Sequence, residues 1–235
     1  MTEIRLQKRS FRLMLVLLLA VLASGLSYAV LSLPSQAAGL SASVAENIDA
    51  SGVSNPVTAV LLNFRGYDTL LELGVLLIAL LGVWSLSPLQ EHGYTRPGAV
   101  LDMLTRLLVP LLILVSGYLL WAGAHAPGGA FQAGSVLAAA GVLMVLTGWC
   151  LGYRFARLPL RFALVSGLGV FVIAGLIMMC FSEHFLEYPS PFAGAFILFI
   201  EAAATVSIGT SLAALFIGSR PQLCDSSSSQ AEEQK

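Results

Sequence analysis

Two glutamates lie inside long apolar stretches of this 235-residue sequence, where a charged group needs an explanation. Glu72 follows Arg65 and Asp68 near the start of "DTLLELGVLLIALLGVWSL", and Glu201 interrupts "FILFIEAAATVSIGTSLAAL". The only other charged residue within fifteen positions of Glu201 is Glu187. A carboxylate inside a bilayer is costly unless it is protonated or paired. Each acid is therefore either a fixed packing pair or a group that relays a proton or cation.

Further polar side chains near these acids extend the candidate site. Arg65 and Asp68 are close enough in sequence to Glu72 to form a network with it at the membrane surface, and Arg65 is the first candidate partner for Glu72. His125, in "WAGAHAPGGAFQAGSV", is a candidate proton-handling group at the outer boundary and also suits a hydrogen-bonding anchor. The predicted ion or proton path comprises Glu72, Glu201, Asp68, Arg65 and His125.

Composition sets the environment in which these side chains work. Hydrophobic residues make up 57% of the chain and charged residues 11%, and the mean hydropathy is +0.85. A helix needs about 20 apolar residues to cross a bilayer core. The segments that qualify are 12–33, 68–87, 106–123, 131–152, 162–181 and 193–217. The predicted fold class is an all-α integral membrane protein with about six transmembrane helices and a short interfacial helix near 55–64.

The placement of basic residues predicts the orientation. Except for Arg65, they precede the first span or follow the second, fourth and sixth spans. By the positive-inside rule these segments and both termini are cytoplasmic, in a multi-pass protein of the cell (inner) membrane. Both acids then lie in the outer half of the bilayer. The alternative is that the first apolar segment is a signal peptide cleaved near Ala37, which would leave five spans and an external N-terminus.

Polar segments divide the chain into a two-helix segment at 1–95, a four-helix domain at 96–218 and a low-complexity tail at 219–235. Between the third and fourth spans, Pro127, Gly128 and Gly129 predict a tight structural turn.

The sequence lacks the usual signatures of catalysis. We find no nucleophile–base pair, metal-ligand cluster or phosphate-binding loop, so we predict no cofactor, no metal and no enzymatic activity of its own. Spans three to five carry no acid, histidine or lysine in their apolar cores, so this chain alone cannot form a complete transmembrane path. We therefore expect a bilayer-embedded subunit of a larger complex, with no nucleic-acid partner.

The stretch "RLLVPLLILVSGYLLWAGAHAPGGAFQAGSVLAAAGVL" resembles the B subunit of the Mrp multisubunit sodium/proton antiporters, the MnhB family. That family has an apolar helix, glycine-histidine, two residues, and then PGGGFQGG or PGGGFIGG. The residues that match are Gly123, Pro127, Gly128, Gly129, Phe131, Gln132 and Gly134. Ala130 and Ala133 replace two glycines, and His125 lies one position later than the family's histidine. The last span, with Glu201, resembles the family's final helix.

The N-terminal part resembles the C-terminal segment of the Mrp A subunit, which corresponds to the E subunit of membrane-bound hydrogenases. The family pattern is an asparagine, a short apolar helix and then "DFRGFDTLGE". The residues that match are Asn55, Phe64, Arg65, Gly66, Asp68, Thr69 and Glu72. Asn63 replaces the first aspartate, and Leu71 replaces the glycine before the glutamate.

Together the two resemblances imply an accessory subunit of an Mrp-type cation/proton antiporter, with helices at the proposed cation or proton entry region. The expected partners are other subunits of the antiporter complex, sodium or another monovalent cation, and protons. One alternative is the equivalent subunit of a membrane-bound hydrogenase or another complex-I-like pump. The other is a purely structural packing subunit.

Overall fold

The computed structural model describes residues 2–33, 39–86, 98–148, 158–180, 186, 188 and 192–218, and within these ranges it contains helices and no strands. The chain divides into two compact units, residues 1–42 and residues 43–235. The all-α fold class predicted from composition is confirmed. The predicted segment boundary at 95 and the predicted tail at 219–235 lie outside the described residues.

The first unit consists mainly of one long helix, α1 (Thr2–Leu31). Its apolar part, Phe11–Leu31, has 21 residues and is long enough to cross a bilayer. At about 1.5 Å per residue this part extends roughly 30 Å. The first predicted span is therefore a single continuous helix.

Short helical pieces lie at the start of the second unit, and the first of them begins two residues before it. They are α2 (Ser41–Asn47), a 3₁₀ turn (Ile48–Ser51), and α3 (Pro56–Ala59), which continues into a π turn (Val60–Phe64). Asn55 caps α3 because its side-chain oxygen accepts a hydrogen bond from Val57 N at 3.0 Å, and Pro56 fills the first helical position, where no N–H is required. The short helix predicted near 55–64 is therefore confirmed.

Longer helices form the rest of the second unit. They are α4 (Gly66–Leu86), α5 (Ala99–Ala122), α6 (Ala130–Leu146), α7 (Leu158–Met179) and α8 (Ala193–Ile217). Counting α1, the described residues contain five helices of spanning length, and α6 is shorter, with 17 residues. The fourth predicted span, 131–152, continues past the end of this helix at Leu146, and its part at 149–152 lies outside the described residues. Instead α6 ends before Gly148, whose φ of +68° is incompatible with a continuing right-handed helix.

Helix α8 is the central element of the second unit and packs most extensively against α6 and α7. Small residues allow these close approaches. A Cβ atom added to Gly134 of α6 would lie 2.8 Å from the Ile208 Cβ, and one added to Gly167 of α7 would lie 2.8 Å from the Ser207 Cβ. The Ser207 hydroxyl also donates a 2.6 Å hydrogen bond to the Leu164 carbonyl. Small side chains and interhelical hydrogen bonds are the usual stabilising contacts between membrane helices.

Candidate functional site

Glu201 lies on α8 and is only 3% exposed. Its Oε1 atom accepts a long hydrogen bond, 3.4 Å, from the backbone N–H of Ala130. Its Oε2 atom is buried and has no hydrogen-bond partner among the described residues. Ala130 is the first residue of α6, and the free N–H groups of a helix N-terminus carry partial positive charge that favours a carboxylate. One carboxylate oxygen is thus held by a helix end, while the other has no bonding partner in the described part of the protein.

The connection between α5 and α6, residues 123–129, brings the α6 N-terminus to Glu201. Gly129 has a φ of +101°, and a Cβ atom added there would lie 2.8 Å from the Glu201 Oε1. A Cβ atom added to Gly128 would lie 2.5 Å from the Leu119 carbonyl oxygen, and Gly129 N donates to that same carbonyl at 2.9 Å. The structure therefore places Gly128 and Gly129 where a side chain has no room.

Residues 54–58, which we call the docking segment, lie against this connection. The Ser54 and Asn55 backbone N–H groups both donate to the Ala124 carbonyl at 3.1 Å. The Asn55 side-chain Nδ2 donates to the carbonyls of Gly123 at 3.2 Å and Ala126 at 2.7 Å. These bonds join segments about 70 positions apart, which connects the N-terminal part of the second unit to the α5–α6 pair.

Thr58 completes the docking segment, because its buried hydroxyl donates to the Gly123 carbonyl at 2.6 Å. His125 lies on the exposed side of the same contact. Its Nδ1 is 3.1 Å from the Ser54 hydroxyl oxygen, and its ring meets Trp121 edge-on with centroids 6.3 Å apart. His125 is therefore attached to the docking segment, and no hydrogen bond connects it to Glu201.

The remaining predicted site residues lie at the start of α4. Arg65 forms an ion pair with Asp68, and these side chains are 66% and 44% exposed. Glu72 is exposed, about one turn further along α4, and forms no ion pair or hydrogen bond with described residues. The structure thus brings Arg65 to Asp68 rather than to Glu72. It places Glu72 on the surface of the second unit and Glu201 inside it.

Sequence reasoning missed the residues that hold the α5–α6 connection. Asn55 followed by Pro56 is recognisable as a helix cap, but the cap signal does not show which loop the amide will contact. The partner of Glu201 is a backbone N–H, which has no signature in the sequence. Among the described residues, no group of three or more histidine, cysteine, aspartate or glutamate side chains is arranged to hold a metal ion.

The fold and the site define a multi-pass, α-helical membrane protein in which a buried carboxylate meets the N-terminus of a neighbouring helix. The chain belongs to the family described as "Domain related to MnhB subunit of Na+/H+ antiporter", which matches residues 100–218, just over half of its length. Residues 7–91 match the MbhE family, the E subunit of MBH. The two resemblances seen in the sequence are confirmed, in the predicted order along the chain.

Solved structures with a similar fold include two subunits of membrane complexes. One belongs to the membrane-bound sulfane sulfur reductase, an archaeal respiratory membrane complex; it is 28% identical, with a TM-score of 0.62, and the match covers 88% of this chain and 97% of that one. The other belongs to the Mrp complex from Dietzia sp. DQ12-45-1b; it is 24% identical, with a TM-score of 0.61, and the match covers 93% of this chain and 27% of that one. A comparison with curated proteins finds no match.

Proposed function

We propose that this protein is an accessory membrane subunit of an Mrp-type cation/proton antiporter complex, and that Glu201 binds the transported proton or monovalent cation. The protein works with other subunits in a hetero-oligomer and has no catalytic activity of its own. The observation that carries the proposal is the Glu201 carboxylate, which is buried on α8 with its Oε2 atom unbonded among the described residues.

The bonding of Glu201 supports this role over that of a fixed packing pair. A buried group that only stabilises a fold normally has its hydrogen-bonding capacity satisfied, since an unsatisfied buried polar atom is costly. Glu201 accepts one long bond, and this bond comes from a backbone N–H rather than from a basic side chain. Its Oε2 atom is thus the position where a proton or a monovalent cation would bind.

The exposed group on α4 extends the proposed path. Glu72 presents a carboxylate on the surface of a helix of spanning length, and Arg65 and Asp68 lie near the end of that helix. A carboxylate at such a position needs water, a lipid headgroup or another protein segment as a partner. We assign Glu72, with Asp68 and Arg65, to the route by which an ion or proton reaches the complex, and His125 to the same outer surface.

The proposed orientation follows from charge. The N-terminal end of α1 carries Arg5, Lys8, Arg9 and Arg12. The positive-inside rule assigns the N-terminal end of α1 to the cytoplasmic side of the cell (inner) membrane. With α6 as the sixth crossing, the C-terminus is cytoplasmic as well. Glu72 and Glu201 then lie in the outer half of the bilayer.

A second candidate function is the equivalent subunit of a redox-driven respiratory complex. The similarity to a subunit of the sulfane sulfur reductase favours it, because that chain is matched over 97% of its length at 28% identity. Purification of the intact complex separates the two candidates. Antiporter subunits alone would support the first, and co-purifying iron–sulfur or other redox subunits would support the second.

The ion-binding role is tested by Glu201→Gln, which keeps size and hydrogen-bonding capacity but removes titration. We expect the complex to assemble at normal abundance while cation-dependent proton movement in inverted membrane vesicles is nearly lost. Glu46→Gln is the matched control, since Glu46 is an exposed glutamate on α2, and this change should leave transport unchanged. Normal transport by Glu201→Gln would refute the role, and loss of the assembled complex would indicate a structural pair.

A further inference from the structure

The docking segment forms more hydrogen bonds than a helix cap requires. Capping α3 needs only one side-chain acceptor, and Asn55 provides it through the bond from Val57 N. Serine or aspartate would cap equally well. Asn55 is 8% exposed and uses both protons of its amide as well, donating them to the carbonyls of Gly123 and Ala126. An amide is the group that supplies these two donors together with the capping acceptor.

The carbonyls that receive these bonds belong to the connection that positions α6. Gly123 follows the last residue of α5, and Ala126 is three positions before Gly129. From Gly129 the chain enters α6, and the N–H of Ala130 donates to the Glu201 carboxylate. The connection is therefore held by Asn55 near one end and meets Glu201 at the other end. Because Gly129 N also donates to the Leu119 carbonyl, a shift of the Asn55-bound part that weakens this bond as well would move the Ala130 N–H away from Glu201.

We propose that Asn55 is a positioning residue that holds the α5–α6 connection, so that the Ala130 N–H faces Glu201. In this way the segment related to MbhE sets the geometry of the carboxylate in the segment related to MnhB. The inference rests on the proposed function of Glu201, and it adds that the two family segments work as one unit. Thr58 assists Asn55 through its own bond to the Gly123 carbonyl.

The first test is Asn55→Asp, which keeps the capping acceptor and the size of the side chain, removes both amide donors and turns a carboxylate oxygen toward the carbonyls of Gly123 and Ala126. Transport should fall by about tenfold, because the hydrogen bond from the Ala130 N–H to the Glu201 carboxylate is lost when the connection is no longer held. Asn47→Asp is the matched control. Asn47 is exposed, and its amide donates to the Ser43 carbonyl within the same short helix. This control should leave transport and abundance unchanged.

The second test separates positioning from general stability by combining Asn55→Asp with Glu201→Asp. A shorter carboxylate already lies further from Ala130, so Asn55→Asp should reduce transport by a smaller factor in this background. Coupled residues give non-additive effects, whereas independent residues give additive ones. An equal reduction in both backgrounds would overturn the positioning role.

A variant that keeps the fold covers the case in which Asn55→Asp fails to accumulate. Thr58→Val preserves shape and removes one hydroxyl donor, and it should lower transport severalfold at normal abundance. When Asn55→Asp assembles, full transport by this variant would overturn the inference. When it does not accumulate, full transport by Thr58→Val would overturn it. Either result leaves the role of Glu201 intact. Normal transport by Glu201→Gln, measured separately, would reject the role of Glu201 and the inference with it.

Discussion

The two acidic regions of this protein differ in how their carboxylates are satisfied. On α4, Asp68 has a basic partner in Arg65, and both side chains are largely accessible. On α8, the Glu201 carboxylate is buried, has no basic partner among the described residues, and meets a helix N-terminus through one long bond. Exposed ion pairs stabilise a protein only weakly, so their partners separate easily. The energy of a buried, incompletely bonded carboxylate depends strongly on each polar group around it. The α4 region thus suits ion exchange with its surroundings, and the α8 region suits binding.

The largest effect that follows from this comparison is expected at the glycine beside the buried carboxylate. Gly129→Ala adds a Cβ atom 2.8 Å from the Glu201 Oε1, at a residue whose φ is +101°. The strain of such a backbone conformation costs on the order of 1–3 kcal/mol. We expect a strong reduction in assembled complex, measured as subunit abundance in purified membranes. Gly74→Ala is the control, since a Cβ atom added there has no neighbour within 4 Å, and it should assemble normally.

The next effect concerns the exposed carboxylate. Glu72→Gln removes a charge that has no ion pair or hydrogen bond among the described residues, so none is lost there and abundance should stay normal. Cation-dependent proton movement in vesicles should fall sharply, because ions or protons pass this group in the proposed path. Unchanged transport in Glu72→Gln, together with loss in Glu201→Gln, would restrict the path to the buried site.

A smaller effect is expected from the ion pair at the start of α4. Arg65→Gln should lower the free energy of unfolding by less than about 1 kcal/mol, because exposed pairs are largely screened. Thermal melting of the purified complex at low and high salt measures this contribution. The difference between variant and wild type should shrink at high salt. A large, salt-independent loss would show that Arg65 has a buried partner in the assembled complex.

The smallest effect is predicted at Tyr188, in the connection between α7 and α8. Its hydroxyl is buried without a hydrogen-bond partner among the described residues, and burial raises the pKa of this phenol above its ordinary value. Its ring stacks on Phe196, with centroids 6.4 Å apart. Tyr188→Phe keeps the stacking and removes the unsatisfied group, so melting should occur at the same or a slightly higher temperature. A clear loss of stability would show that the hydroxyl binds a group outside the described residues.

The sequence predicts the helices well because long apolar runs leave few alternatives in a bilayer. It predicts less well where a helix ends for local reasons. The apolar run of the fourth span continues past Leu146, but the chain takes a left-handed conformation at Gly148, which any glycine permits and none requires. Composition thus determines which segments form helices, whereas the backbone conformation at Gly148 determines where α6 ends.

The candidate site is predictable in its acids but not in their partners. Glu201 stands out because a charge in an apolar run is rare, yet its bonding partner is the N–H of a residue 71 positions away. A backbone donor is present at almost every residue, so nothing in the sequence marks Ala130. Arg65 illustrates a different limit. Asp68 and Glu72 are both close enough in sequence to pair with it, and the nearer of the two does so.

In the proposed function Glu201 exchanges its bound proton or cation during transport, and infrared difference spectroscopy on the purified complex tests this exchange directly. Spectra recorded before and after addition of the transported cation should contain a carboxyl signal from a change in protonation. We predict that this signal disappears in Glu201→Gln and persists in Glu46→Gln. A signal of unchanged size in Glu201→Gln would contradict the account, because the titrating carboxyl group would then lie elsewhere in the complex.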